Sequence, residues 1–254
     1  MISKPELIYA NWPAPHWVRA YTTMRTGGYS QAPYNSMNLS YQVGDDPNVV
    51  QKNHNKLHDM LSLPTPPVWL KQVHGINVIE ASRVSASDES FPEADGSYTA
   101  KAGIVCAVLT ADCLPVLICD QCGTSVAAVH AGWRGLLAGV IEAAVMLLAR
   151  PERRLMAWLG PAIGPGAFEV GDEVRQGFIG YNANAQSAFR PSPHGRWLAD
   201  IYQLARLRLM SVGVQQIYGG EWCTFNDSEH FYSYRRDGTT GRMASLIWLS
   251  GKLD

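Results

Sequence analysis

The chain has 254 residues, of which 46% are hydrophobic and 17% are charged. This length and composition are typical of a globular domain with a substantial core and argue against intrinsic disorder. The formal net charge is −1 and no run of Lys or Arg is present, so the sequence shows no concentrated basic surface of the kind that nucleic-acid binding requires. We expect one domain over residues 1–254 and no nucleic-acid partner.

The apolar segments are too short or too polar to act as targeting signals or membrane spans. Prolines interrupt the N-terminal segment, and Thr110, Asp112 and Pro115 interrupt the most apolar stretch, residues 103–119. A signal peptide or a membrane helix requires a continuous apolar run. We therefore expect a cytoplasmic protein without a membrane partner.

In chain order, a Gly- and Asn-rich loop over residues 22–40 comes before a predicted exposed helix, Pro47–Leu61. A short strand is predicted over Val68–Leu70, running into a turn at KQVHG (71–75). Three apolar runs rich in β-branched residues then predict buried strands, since each is short and is bounded by Asp or Gly. These strands are Gly103–Thr110, Leu114–Ile118 and Ser125–His130, with Cys119–Gly123 as the tight connection between the second and the third.

The rest of the chain mixes helices and strands in an irregular order. Apolar residues at helical spacing predict a helix over Leu136–Arg150, which Pro151 would end. Further strands are predicted at Leu155–Leu159, Gln216–Tyr218 and Ala244–Leu249, and further helices at Asp172–Ile179 and Ala199–Val212. Because no regular βαβ repeat is present, we predict an α/β fold of the mixed α+β, layered-sandwich type rather than a doubly wound fold.

Three side chains with ligand chemistry lie where predicted strands end or meet. His74 ends the KQVHG segment, Cys113 belongs to the ADC junction, and His130 ends the third buried strand. Each alone is more typical of a core or turn residue than of a functional one. Thiolate and imidazole are, however, the ligands that zinc prefers, and three protein ligands leave a fourth position for water or substrate, as in catalytic sites. We predict that these three residues bind one metal ion.

The other cysteines do not form a competing metal site. Cys119 and Cys122 have the spacing of half a zinc ribbon, but no second Cys or His pair completes it. We interpret them as two incidental thiols at a turn. The odd total of five cysteines also argues against a disulfide framework.

Arg25 is the strongest candidate for binding an anion. It stands beside Gly27 and Gly28, where backbone N–H groups and a guanidinium can contact one phosphate or ribose oxygen together. An ordinary solvated loop arginine is an equally good interpretation. Arg134 beside Trp133 is a similar candidate, although packing at the start of a helix explains it as well.

The sequence resembles the YfiH/YlmD family in a series of motifs that occur in the same order nearly from end to end. They are KQVHG (71–75), TADCLPV (110–116), HAGWRG (130–135), LGPAIGP (159–165), FEVG (168–171) and YRRDGTTGRMAS (234–245). The resemblance implies a fold similar to a group of cysteine hydrolases, and it implies that His74, Cys113 and His130 are zinc ligands. It also implies phosphorolysis of adenosine, inosine and methylthioadenosine, and deamination of adenosine. Other members are described as polyphenol oxidases or laccases, or as amidases that act on peptidoglycan precursors.

Several functions remain open at this stage. In a zinc-dependent purine nucleoside enzyme, Arg25 would bind phosphate and Asp112 would move a proton. In a cysteine hydrolase or amidase, Cys113 would be the nucleophile and His130 the base. Copper-dependent phenol oxidation is disfavoured because the seven histidines form no His-x-His pair, and a binding domain without activity is the least favoured.

The expected partners are purine nucleosides and phosphate, and the expected cofactor is zinc, with copper as the alternative. None of the seven histidines has Glu two positions later, so the H-x-E signature of the zinc nucleobase deaminases is missing. Any deamination would therefore use a different kind of site.

Overall fold

A computed structural model describes residues 7–84, 91–149, 154–193 and 195–251. The strands are β1 (Leu7–Tyr9), β2 (Val18–Thr23), β3 (Val78–Glu80), β4 (Gly96–Thr99), β5 (Cys106–Thr110), β6 (Leu114–Asp120), β7 (Val126–Ala131), β8 (Leu155–Leu159), β9 (Glu169–Val170), β10 (Phe189–Pro191), β11 (Trp197–Ala199), β12 (Gln216–Gly219) and β13 (Met243–Leu249). The helices are α1 (Pro47–Leu61), α2 (Trp133–Ala138), α3 (Val140–Leu148), α4 (Asp172–Tyr181), α5 (Ile201–Ser211) and α6 (Tyr234–Asp237). Short 3₁₀ turns cover Ala81–Arg83 and Ala183–Ala188.

The strands form three sheets. The largest has six strands in the order β12-β8-β6-β7-β4-β3, the second has four in the order β1-β2-β13-β5, and a small third sheet has the order β10-β11-β9. In the six-stranded sheet, β12 is parallel to β8 and β3 is parallel to β4, whereas the central pairs are antiparallel. This mixed α/β architecture with several sheets confirms the predicted class.

The six-stranded sheet is covered on both faces, which explains why β6 is buried at every position. Successive side chains of a strand point to opposite faces. Val116 and Ile118 accordingly pack in a core with α3 and α5, whereas Leu117 and Cys119 pack in a second core with β5 and β13 of the four-stranded sheet. A third core lies between the far face of the four-stranded sheet and α1. The molecule is therefore layered in the order helices, sheet, sheet, helix.

The predicted helix Leu136–Arg150 is wrong in its bounds. The structure has two helices there, α2 and α3, separated by Gly139 with φ = +109°. Residues with a Cβ rarely adopt this left-handed conformation, so glycine ends the first helix and turns the chain into the second. Arg150 and Pro151 lie outside the described residues.

The predicted strand Val68–Leu70 is an extended segment held by isolated bridges rather than a strand, with Val68 paired to Cys106. The side chain of Gln72 makes hydrogen bonds to the backbone of β5 in place of those that a paired strand would make. Its amide donates to the carbonyl oxygen of Leu109 at 2.8 Å and accepts from the Leu109 N–H at 2.7 Å. This pairing fixes the KQVHG segment beside β5.

The other predicted elements are found with small shifts at their ends. Residues 22 and 23, predicted as loop, end β2, and Ala199, predicted as helix, ends β11. The sequence did not predict β1 to β4 or the small sheet, whose segments are short or polar. In the part of the chain that the structure describes, no helix is both long and apolar enough to cross a membrane.

Candidate metal centre

His74, Cys113 and His130 lie together at one place on the molecule. Their ligand atoms are all within 4.8 Å of one another. The Sγ atom of Cys113 is 3.7 Å from Nε2 of His74, and the centroids of the two imidazole rings are 4.8 Å apart. A tetrahedral zinc ion with bonds of about 2.0 Å to nitrogen and 2.3 Å to sulfur separates its ligand atoms by roughly 3.5 Å. The donor set and its spacing therefore fit such an ion.

Cys113 is placed by the turn that connects β5 of one sheet to β6 of the next. Asp112 in this turn has φ = +87°, and its carboxylate accepts hydrogen bonds from Thr224 Oγ1 (2.6 Å), Ser233 Oγ (3.0 Å) and the Arg235 N–H (2.6 Å). Both carboxylate oxygens are thus engaged in fixing the turn. The predicted role of Asp112 in moving a proton stays a prediction.

His130 lies near the end of β7 and is buried. Its Nδ1 is 2.8 Å from Oδ1 of Asp95, a carboxylate that is itself fully buried, and its backbone N–H donates to the Asp95 carbonyl oxygen at 2.7 Å. Because an ionised carboxylate only accepts hydrogen bonds, Nδ1 carries the proton in this pair. The lone pair of Nε2 is then available to a metal ion.

The same carboxylate also holds His74. The backbone N–H of His74 donates to Oδ1 of Asp95 at 2.9 Å, and the N–H of Gly75 donates to Oδ2 at 2.6 Å. His74 has φ = +61°, a left-handed conformation that these hydrogen bonds stabilise. Sequence reasoning missed Asp95, because it lies in the polar segment FPEADG, which shows no strand periodicity.

Two glycines of HAGWRG make room for the site. A Cβ atom on Gly132 would lie 2.8 Å from Cδ2 of His74 and 3.0 Å from Sγ of Cys113. A Cβ atom on Gly135 would lie 2.8 Å from the carbonyl oxygen of Gly75. These three distances are too short for a side chain to fit without a shift. The ligands His74 and Cys113, and the backbone at Gly75, come this close because glycine occupies positions 132 and 135.

The charges at the site favour a thiolate beside an imidazolium in the metal-free protein. Burial alone would raise the pKa of Cys113, but the charge and hydrogen bond of His130, with a smaller contribution from His74, lower it to about 6. Burial likewise opposes protonation of His130, yet the Cys113 thiolate and the Asp95 carboxylate raise its pKa to about 9. A thiolate near neutral pH is the form that binds metal ions and attacks electrophiles.

The three residues line a cavity of about 590 Å³. Its wall also carries aromatic rings and guanidinium groups, from Trp133, Phe168, Tyr234, Arg134, Arg235 and Arg242. The volume lies in the range of pockets that hold small molecules. The arrangement can therefore bring a polar, planar ligand to the ligand atoms of the three residues.

The structure places Arg25 elsewhere. It lines a different surface cavity, beside Asn35 and Ser228. Its Nε donates to the carbonyl oxygen of Asn35 at 3.2 Å and its Nη1 to that of Ser228 at 3.0 Å, while the guanidinium lies 4.9 Å from the ring centroid of Tyr232. These contacts join two loops, and the geometry gives no support to the predicted contact with substrate.

Comparison with known proteins identifies the family. Residues 19–250 match the family model described as multi-copper polyphenol oxidoreductase laccase. A Shigella flexneri protein named purine nucleoside phosphorylase YfiH is 54% identical over 245 residues, which cover 96% of this chain and 99% of the relative. The chain belongs to the YfiH/YlmD family. An Escherichia coli protein of the same name is 53% identical over 245 residues, covering 96% of this chain and 99% of that protein.

Solved structures agree with this assignment. The crystal structure of a Neisseria meningitidis protein of family DUF152 has a TM-score of 0.90 and 46% identity, covering 96% of this chain and 99% of that one. The crystal structure of YlmD from Geobacillus stearothermophilus has a TM-score of 0.82 and 32% identity, covering 93% of each chain. The layered fold is therefore that of the family.

Proposed function

We propose that this protein is a zinc-dependent purine nucleoside phosphorylase, with the ion held by His74, Cys113 and His130. The observation that supports this most directly is that three zinc-type ligands meet at the wall of a cavity of small-molecule size. The high identity to relatives named purine nucleoside phosphorylase supplies the class of substrate. Adenosine, inosine and methylthioadenosine are the proposed nucleosides, and deamination of adenosine is a proposed second activity.

In the proposed reaction a phosphate oxygen forms a bond to C1′ of the ribose while the bond from C1′ to the base nitrogen breaks. The electron pair of the broken bond and the proton of the phosphate end on the base, so the products are a free purine and ribose 1-phosphate. Trp133, Phe168 and Tyr234 offer flat apolar surfaces for a purine ring. Asp95 orients both histidines, and a bound zinc ion would supply Lewis-acid polarisation of a substrate or water oxygen.

The test is a product analysis on protein of known metal content. Inosine and adenosine are incubated with and without phosphate, and free base, ribose 1-phosphate and inosine formed from adenosine are separated. We expect ribose 1-phosphate only with phosphate, and loss of activity in Cys113→Ala and His130→Ala. Cys122→Ala is the matched control, since this thiol is exposed and does not line the cavity. Activity that survives both site substitutions would refute the proposal.

A cysteine hydrolase or amidase that acts on a peptidoglycan precursor is the second candidate. The observation in its favour is the low pKa of Cys113 next to His130, which is the arrangement of a nucleophile and its base. Metal content separates the two candidates, because a thiolate bound to zinc is a poor nucleophile. Amide hydrolysis by metal-free protein, abolished by alkylation of Cys113, would favour this second function.

Copper is the alternative ion, and the description of the family model suggests it. Two imidazoles and one thiolate can also bind copper. We propose zinc because the sequence has no His-x-His pair from which a multicopper cluster could be built. Elemental analysis of protein purified without added metal, compared with phenol oxidation at increasing copper content, tests this choice.

A further inference from the structure

The cavity that contains the metal centre has more cationic than anionic side chains on its wall. The cavity is lined by three arginines, Arg134, Arg235 and Arg242. Among the lining residues that the structure describes, Asp112 is the single Asp or Glu. The Asp112 carboxylate already accepts three hydrogen bonds from Thr224, Ser233 and Arg235. The cavity is therefore suited to a ligand that carries negative charge.

Each of the three arginines lies over an aromatic ring of the same wall. The guanidinium carbon of Arg134 is 4.3 Å from the ring centroid of Trp133, that of Arg235 is 5.6 Å from Phe168, and that of Arg242 is 5.8 Å from Tyr234. All three rings line the cavity. Contact with a ring orients a guanidinium without using its N–H groups. Arg235 donates through Nη1 to the carbonyl oxygen of Glu169 at 2.8 Å, and its other N–H groups remain available to a ligand.

Arg242 is the best placed of the three. It is half-buried, and its Nη1 donates to the carbonyl oxygens of Thr240 and Gly241 at 2.9 and 3.0 Å. Within the described residues, its Nε and Nη2 have no hydrogen-bond partner and no carboxylate forms an ion pair with it. A cation that is partly removed from water without a direct ion pair is less stable, so an anion in the cavity would stabilise this arrangement.

Arg242 also lies close to the reacting groups. Burial lowers the pKa of Arg242, while the negative charges of Cys113 and Asp112 act on it in the opposite direction. Its side chain lines the same cavity as Asp112, Cys113 and His130. An anion bound to Arg242 would consequently share the cavity with a ligand that contacts His74 and His130.

We propose that Arg242, assisted by Arg134 and Arg235, forms the phosphate subsite of this cavity. The inference rests on the proposed phosphorylase function and replaces the sequence-based candidate Arg25. The guanidinium fork matches two oxygens of one phosphate. Bound in this way, phosphate keeps a third oxygen for attack on C1′ of the ribose, as the C1′–N bond breaks and the base accepts the phosphate proton.

The experiment measures phosphate binding separately from nucleoside binding. Steady-state phosphorolysis of inosine is followed at varied phosphate and at varied inosine for Arg242→Gln, Arg242→Lys and Arg134→Gln. Binding of inorganic phosphate to the metal-loaded protein is measured in parallel by calorimetry, without nucleoside. Arg19→Gln is the matched control, because Arg19 also lies over an aromatic ring, Tyr21, and is not among the lining residues of the cavity.

We expect Arg242→Gln to raise both the KM and the Kd for phosphate about 10- to 100-fold, since charge-assisted hydrogen bonds are lost. The KM for inosine should change less than about 2-fold, and Arg242→Lys should retain part of the affinity because it keeps the charge but not the fork. Arg134→Gln should have a smaller effect of the same kind. If the Arg242 variants fold poorly, Arg134→Gln still tests the subsite, because Arg134 is exposed and its substitution should not disturb folding.

Two results would overturn the subsite. One is an unchanged phosphate Kd in folded Arg242→Gln and Arg134→Gln. The other is an effect of Arg25→Gln on the phosphate KM as large as that of Arg242→Gln. Failure of the proposed function is distinguishable from both, because wild-type protein would then form no ribose 1-phosphate at any phosphate concentration, whereas calorimetry would still compare phosphate binding among the variants.

Discussion

Asp95→Asn should separate metal affinity from overall stability. Oδ1 of this carboxylate accepts from Nδ1 of His130 and from the backbone N–H of His74, and Oδ2 accepts from the N–H of Gly75. Asparagine keeps one acceptor oxygen and replaces the other by an NH₂ group. If the NH₂ group faces Gly75, the turn that positions His74 loses its support. If it faces His130, Nδ1 must accept the hydrogen bond, and the proton moves to Nε2, where it blocks metal binding.

Either orientation of the asparagine weakens one metal ligand, so the loss of zinc affinity can be bounded. Loss of an outer partner of a metal-binding histidine typically lowers affinity about 10- to 100-fold, which corresponds to about 1.4 to 2.7 kcal/mol. The side chain is fully buried, and at least one hydrogen bond to a charged group is lost. The free energy of unfolding of the metal-free protein should therefore fall by about 1.5 to 3 kcal/mol.

The assay is a zinc titration of metal-free protein against a chromophoric chelator, with urea unfolding of the same samples. Asp120→Asn is the matched control. Asp120 is equally buried and accepts several hydrogen bonds, from Cys122, Thr124 and Ser125, but lies at the opposite end of β6 from Cys113. We expect it to lower stability and leave zinc affinity unchanged. The reasoning would be refuted if wild type and Asp95→Asn bound zinc with equal affinity, or if Asp95→Asn and Asp120→Asn lost equal zinc affinity.

Three further substitutions or treatments test the site. In metal-free protein, the rate of Cys113 alkylation should rise as the pH passes about 6, because the lowered pKa makes the thiolate the main form above that value. Bound zinc should protect Cys113 from alkylation. A midpoint of the rate-against-pH curve above about pH 8 would contradict this expectation. Gly132→Ala should lower zinc affinity more than about 10-fold, since its Cβ would displace two ligands, whereas Gly180→Ala, whose Cβ would meet nothing within 4 Å, should not. Asp112→Asn should reduce the free energy of unfolding by about 1.5 to 3 kcal/mol as hydrogen bonds to its carboxylate are lost. A fall in kcat of more than about 100-fold at unchanged stability would instead support its predicted role in proton transfer.

The sequence was most informative where local chemistry and strand ends coincide. His74, Cys113 and His130 were singled out because ligand-type side chains stood at the ends of predicted strands, and the structure brings them together. Asp95 could not be found in this way, because its importance comes from contacts across 35 residues of chain to His130. Arg242, the proposed phosphate ligand, was not selected from the sequence, since no local pattern distinguishes it from the other arginines of the YRRDGTTGRMAS motif.

The fold was predictable to a similar extent. Apolar runs such as Leu114–Ile118 predicted buried strands correctly, because burial on both faces leaves a continuous apolar sequence. The strand Gly96–Thr99 was missed because its sequence, GSYT, is polar and gains its place by pairing with β7 and β3. The break at Gly139 was missed because the helical spacing of apolar residues continues through it, so only the backbone conformation shows that two helices are present.

The turn at residues 111–113 is the point where the chain crosses from one sheet to the other. Cys113 lies between β5 of the four-stranded sheet and β6 of the six-stranded sheet, and His130 belongs to the six-stranded sheet. His74 is connected to β5 through Gln72 and to the segment before β4 through Asp95. An ion bound by all three residues would cross-link the two sheets, as a disulfide cross-links two segments of a chain. Metal loading should then slow amide hydrogen exchange in β5 and β7 together, so that metal binding and the packing of the two sheets depend on the same three side chains.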